Sequence, residues 1–145
     1  MKNLLAITFV FLLISVTEGN ARDVFKWLPA GKDSFATYFI DFSKSIKQHG
    51  RIYHYMLYNL EEPTKDGSKS MEIYSYMECD DMTRYYISSN WFSKLDRSGS
   101  INGSYDDTGM EPLKIPSDSN EYFFWSNICM YDNEQFENFK DVSFE

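Results

Sequence analysis

Four kinds of residue in this chain are of types that do chemistry: adjacent carboxylates, histidines, cysteines and an excess of tyrosine. The carboxylate pairs are Glu61-Glu62, Asp80-Asp81 and Asp106-Asp107. Glycosidic hydrolysis needs two carboxyls facing each other across a cleft at a set separation. Sequence neighbours in polar stretches do not provide that. The run 96–107 has the acidic residues of a calcium loop, but Ile101 stands where such a loop needs glycine. His49 and His54 lie far from both cysteines and lack a metal-binding partner set; they read as a turn histidine and a strand histidine. The chain has no glycine-rich phosphate loop, nucleophile elbow or zinc-protease motif. It is therefore read as a non-enzyme without cofactor or metal. Asn102-Gly103-Ser104 is a glycosylation sequon, relevant only in a eukaryotic secretory pathway.

The cysteines take their meaning from the leader. Lys2 precedes an uncharged apolar run at 4–16. That run has signal-peptide length, well short of the ~20 apolar residues that span a bilayer. Gly19-Asn20-Ala21 places small residues for cleavage after Ala21; cleavage after Gly19, with Thr17 upstream, is the alternative. A buried N-terminal helix is disfavoured because no capping residue opens the run. Residues 1–21 are thus an export signal. No cysteine sits by the cleavage site, so the leader is not that of a lipoprotein. In an oxidising compartment two cysteines read as one disulfide, Cys79 to Cys129. A catalytic thiol or a metal thiolate would need partners that the sequence does not place nearby.

The tyrosines need a surface. Residues 70–79 alternate: Met71, Ile73, Ser75, Met77 and Cys79 share one face, and Glu72, Tyr74, Tyr76 and Glu78 share the other. Side chains alternate across a strand, so the first set is assigned to the core and the second to solvent. Tyr53 and Tyr55 extend the wet face, together with Tyr85 or Tyr86 depending on register. Tyrosine is enriched in interfaces because it buries much area and keeps a polar tip. Tyr53, Tyr55, Tyr74 and Tyr76 are the candidate protein-binding residues.

These residues must be held by a small fold. Runs at 34–42, 51–60, 70–79 and 84–92 read as strands, with a His49-Gly50 turn and a tight turn at 80–83. The 51–60 run is apolar on both faces, which suits a central position. Residues 93–116 read as a long polar surface loop with one edge strand near 100–105. Asp118 and Glu121 form a capping-box-like helix start. Phe124, Trp125, Ile128 and Cys129 follow on one side, with Tyr122 beside them. The fold class is α+β: a small antiparallel β-sheet with a C-terminal helix tethered to it by one disulfide. Residues 22–131 form the domain, and 132–145 read as an acidic tail.

Composition sets the outer limits. With 145 residues the chain is one domain. A net charge of −8, without a basic patch, argues against nucleic-acid binding. An aromatic content of 18% is too high for a disordered chain. After the leader no segment reads as transmembrane.

Several stretches carry a family resemblance. They are Trp27-Leu28, Tyr38-Phe39-x-Asp41, the Ser-Lys-Ser-Ile-Lys-x-x-Gly run at 43–50, and Asn59 through Pro63. Ser70 through Cys79-Asp80, Tyr85 through Phe92, and a cysteine in a terminal helix follow in order. Over roughly residues 26–131 the chain resembles the surface-adhesin protein E-like family of bacterial exported proteins. The resemblance implies an antiparallel sheet with a cystine-held C-terminal helix, an envelope or surface location, and adhesion to host extracellular proteins. Only Cys79 and Cys129 carry over residue by residue. The leading expectation is an exported binding protein acting through its Tyr-rich face, as an adhesin. One alternative is a periplasmic inhibitor of a basic enzyme such as lysozyme. Another is a carrier of a small apolar ligand between helix and sheet, using Met71, Met77 and Trp125. The protein partner is unidentified, and periplasm, cell surface and medium all remain open.

Overall fold

The computed structural model describes residues 25–130. The expected leader at 1–21 and the tail at 132–145 lie outside these residues. Seven strands and one helix follow in order: β1 (Leu28–Lys32), β2 (Ala36–Gln48), β3 (Arg51–Leu60), β4 (Ser70–Glu78), β5 (Thr83–Phe92), β6 (Ile101–Asp106), β7 (Leu113–Lys114) and α1 (Asn120–Cys129). The sheet is antiparallel with order β1-β2-β3-β4-β5-β6, and β7 pairs with the start of β5. The doubly apolar β3 is interior, as its pattern requires.

Turn chemistry fixes the hairpins. His49 and Gly50 have φ of 51° and 75° between the paired residues Gln48 and Arg51. Two left-handed residues make the hairpin turn whose twist matches the strands. Residues 43–48 continue β2 beyond an irregularity between Asp41 and Ile46. There Asp41 Oδ1 accepts from Ser43 N and Oγ, and Asp41 Oδ2 accepts from Lys26 N. The carboxylate thus replaces the ladder bonds that the bulge loses.

Alternation gives the sheet an inner and an outer face. Ile40, Ile52, Met56 and Met77 on the inner face pack with Phe42, Met82, Ile115, Trp125 and Ile128. Trp125 and Ile128 are 1% and 2% exposed, so α1 buries one stripe against the sheet. Burying a side chain of that size contributes about 1.5–3 kcal/mol. The Cys79–Cys129 disulfide pins the last turn of α1 to the end of β4, with Cα atoms 5.7 Å apart.

Three expectations are corrected. The helix N-cap is Ser119, not Asp118; its Oγ accepts from Tyr122 N at 3.0 Å. Glu121 does not close a capping box, because it forms an ion pair with Arg84 at 2.6 Å. Glu72 is not on a wet surface but 5% exposed. Its Oε2 lies 2.6 Å from Arg97 Nε, carried in by the loop after β5. The polar stretch after β5 lies on the surface with its edge strand β6, as expected, and 93–100 folds over the outer face before β6. Asp96 N donates to Asn59 Oδ1 and Arg97 N to Ser70 Oγ. These bonds hold Asp96 and Arg97 at left-handed φ of 56° each.

Candidate protein-binding face

The outer face is built by register. Tyr53 stands opposite Tyr76, and Tyr55 opposite Tyr74. Their ring centroids are 5.4 and 4.4 Å apart. On β5 the register slips at Ile87, which has no partner on β4. This places Tyr85 opposite Tyr76, with rings 4.8 Å apart and 7° from parallel. Tyr86 instead faces Ser75 on the inner side. All four candidate tyrosines therefore share one face, and Tyr85 joins them. A bulge has no strong local signature, so the sequence left Tyr85 and Tyr86 undecided.

Two rows result. Tyr53, Tyr76 and Tyr85 form one row, with the Arg51 guanidinium 5.0 Å from the Tyr76 centroid. Arg51 also donates from Nε and Nη2 to Glu78 Oε1 at 2.9 and 2.7 Å. Tyr55 and Tyr74 continue into Phe25, which meets Tyr55 edge-on at 5.4 Å and stacks on Trp27 at 4.9 Å. Lys44 Nζ and Arg97 lie 4.2 and 3.9 Å from the Phe25 ring centroid. The segment before β1 is thus part of this face. Nothing periodic in so short a stretch marks it.

The chemistry of the face is that of hydrogen bonding and apolar contact. Stacked rings spend their faces on each other, leaving edges and hydroxyls outward. The tyrosines are half-buried. Burial, with neighbouring Tyr55, raises the Tyr74 pKa, and burial and Glu78 raise that of Tyr85. Both phenols stay protonated and donate at neutral pH.

The inner face holds a buried histidine and a buried arginine. His54 is fully buried. Its Nδ1 lies 3.0 Å from Ile52 O and its Nε2 2.9 Å from Ser75 Oγ. A carbonyl can only accept, so Nδ1–H donates to it and Ser75 donates to Nε2. Burial, aided by the Arg84 charge, holds the imidazole pKa down to about 3. The ring packs 4.4 Å from Trp125 as a neutral core group. Arg84, 2% exposed, lies 5.3 Å from the Trp125 ring centroid. Asp33 accepts from Tyr38 Oη at 2.6 Å, which holds its carboxyl below the usual range. Of the residues assigned to a carrier site, Met77 is sealed in the core. Met71 and Trp125 line two different cavities. Among the described residues no group of three His, Cys, Asp or Glu is placed to hold a metal.

Comparison with known proteins agrees with this architecture. The crystal structure of protein E from non-typeable Haemophilus influenzae is similar, with a TM-score of 0.57 at 16% identity. The match covers 79% of this chain and 83% of that one. A second Haemophilus influenzae protein E structure has a TM-score of 0.54 at 11% identity, covering 74% and 96%. These likenesses establish the fold. No curated protein sequence matches. The family described as surface-adhesin protein E matches residues 27–130. An antiparallel sheet, a helix pinned to its inner side by Cys79–Cys129, and this match together place the chain in the surface-adhesin protein E family.

Proposed function

We propose that this chain is a non-catalytic exported binding protein that engages a protein partner through its outer aromatic face, as an adhesin for host extracellular proteins. The observation that carries the reading is the ladder of Tyr53, Tyr55, Tyr74, Tyr76 and Tyr85, brought ring to ring by register. Helix α1 packs on the opposite face, where the main core lies, so the ladder is not needed to seal that core. Rigid tyrosines lose little entropy on binding and supply both area and hydroxyls, as interface anchors do. Family membership supports a surface or exported setting. The apolar leader at 1–21 supports export with removal of the signal.

The test is binding of the mature chain to an immobilised host extracellular-matrix preparation. A Tyr74→Ala/Tyr76→Ala double variant, checked for unchanged melting, should bind at least tenfold more weakly. Equal binding by both proteins would remove the tyrosine face from the account. The test also separates an inhibitor of a basic enzyme, whose binding would weaken steeply with salt. Binding through the tyrosines should change less than about threefold between 50 and 500 mM salt, because apolar contact and neutral hydrogen bonds are not screened by ions.

A further inference from the structure

The inner face carries a second feature that the tyrosine face does not explain. Helix α1 covers only part of it. Toward the other end of the strands lies a cavity of about 720 Å³ floored by Met71, Ile73 and Trp91. An adjoining cavity of about 530 Å³ reaches the first turns of α1 and is lined by Arg84. Tyr58 and Tyr86 line both cavities and so form the waist between them. The volumes fall in the range of small-molecule sites.

The waist has donors in surplus. Tyr58 Oη accepts from Arg84 Nη1 at 3.4 Å. Among the described residues its own hydroxyl hydrogen finds no acceptor, and neither does that of Tyr86. Arg84 Nε is buried without a partner, and Arg84 Nη2 is engaged by Glu121. Arg84 Nε is a buried donor without an acceptor, which is costly, and the two phenols open into the cavities, where a ligand can supply the acceptor they would otherwise take from water. The needed atom is an acceptor oxygen. An anion fits poorly, because Asp33, Asp66, Asp107 and Glu121 outnumber Lys32, Lys65 and Arg84 in the linings. The chain's charge of −8 adds to the repulsion.

We infer that this double cavity binds an uncharged, lipid-like molecule whose carbonyl oxygen sits between Tyr58 and Tyr86 and whose apolar body fills the chamber over Met71, Ile73 and Trp91. The site lies on the sheet face opposite the stacked tyrosines, so its failure leaves the protein-binding reading untouched, and the reverse.

The test uses the full mature chain and N-phenyl-1-naphthylamine, an uncharged dye that brightens in apolar surroundings. Methyl octanoate and octanoate are then added as competitors. The dye should bind with one-to-one stoichiometry, and the ester should displace it at least tenfold better than the carboxylate. Tyr86→Phe keeps the ring and removes the donor. It should weaken the ester about fivefold, the usual worth of one neutral hydrogen bond, and change dye affinity less than twofold. Tyr58→Phe is a second probe of the same waist with the same expected result. Tyr85→Phe, adjacent in sequence but on the outer face, should change neither. No dye binding, equal or better competition by octanoate, or wild-type ester affinity in both Phe variants overturns the inference.

Discussion

His54 turns burial into a pH dependence that can be calculated. Its pKa is held down to about 3 in the fold, against about 6.5 for an unperturbed imidazole. The unfolded chain therefore takes up a proton as the pH falls below 6.5, and the folded chain does not until near 3. Stability is complete above 6.5 and is lost progressively as the pH drops through that window. At about 1.36 kcal/mol per unit, the loss from pH 7.5 to pH 5 is about 2 kcal/mol. The depressed carboxyls of Asp33, Asp66 and Asp106 act at lower pH. Their unfolded reference is about 3.9, so pH 5 isolates the histidine. The assay is urea unfolding at both pH values for wild type and His54→Gln, whose amide can still donate to Ile52 O and accept from Ser75. Wild type should lose about 2 kcal/mol; the variant, whatever its absolute stability, should lose less than about 0.5, because glutamine does not titrate. An unchanged slope in the variant would refute the neutral, buried assignment.

Other perturbations test the rest of the architecture. Cys79→Ser/Cys129→Ser opens a cross-link spanning 50 residues. Loop entropy assigns it about 4 kcal/mol, read as a drop in urea midpoint with far-UV helicity retained below the transition. Glu121→Gln leaves the buried Arg84 cation without its anion. Because Glu121 is itself partly exposed, the expected loss is about 1–2 kcal/mol by chemical denaturation. Arg97→Ala removes both the ion partner of Glu72 and the cation over Phe25. Amide exchange at Lys26, whose N–H donates to Asp41, should speed up by more than tenfold while the β3–β4 ladder stays protected.

The strong local signals were legible in the residues. Alternation in 70–79 separated Met77 from Tyr74 and Tyr76, and the His49-Gly50 pair marked a hairpin. Two cysteines, one on a strand face and one on a helix stripe, gave the staple. What escaped depended on distant partners. Glu72 has the sequence context of an exposed residue and is buried because Arg97 folds over it. Ser119 rather than Asp118 caps α1 because Glu121 is drawn to Arg84, 37 residues away. The choice between Tyr85 and Tyr86 turned on one unpaired residue, Ile87. Phe25 and Trp27 join the aromatic face by packing, which no periodicity in so short a segment announces.

A map of the contact face shows directly which side of the sheet meets the partner. Ring resonances of labelled tyrosine and tryptophan can be followed by NMR as a captured extracellular partner is added. Perturbation and cross-saturation are expected at Tyr53, Tyr74, Tyr76 and Tyr85, with Trp91 and Trp125 unchanged. Perturbation confined to Trp91 and Tyr86 on the inner face, with the stacked tyrosines silent, would contradict the proposed contact face.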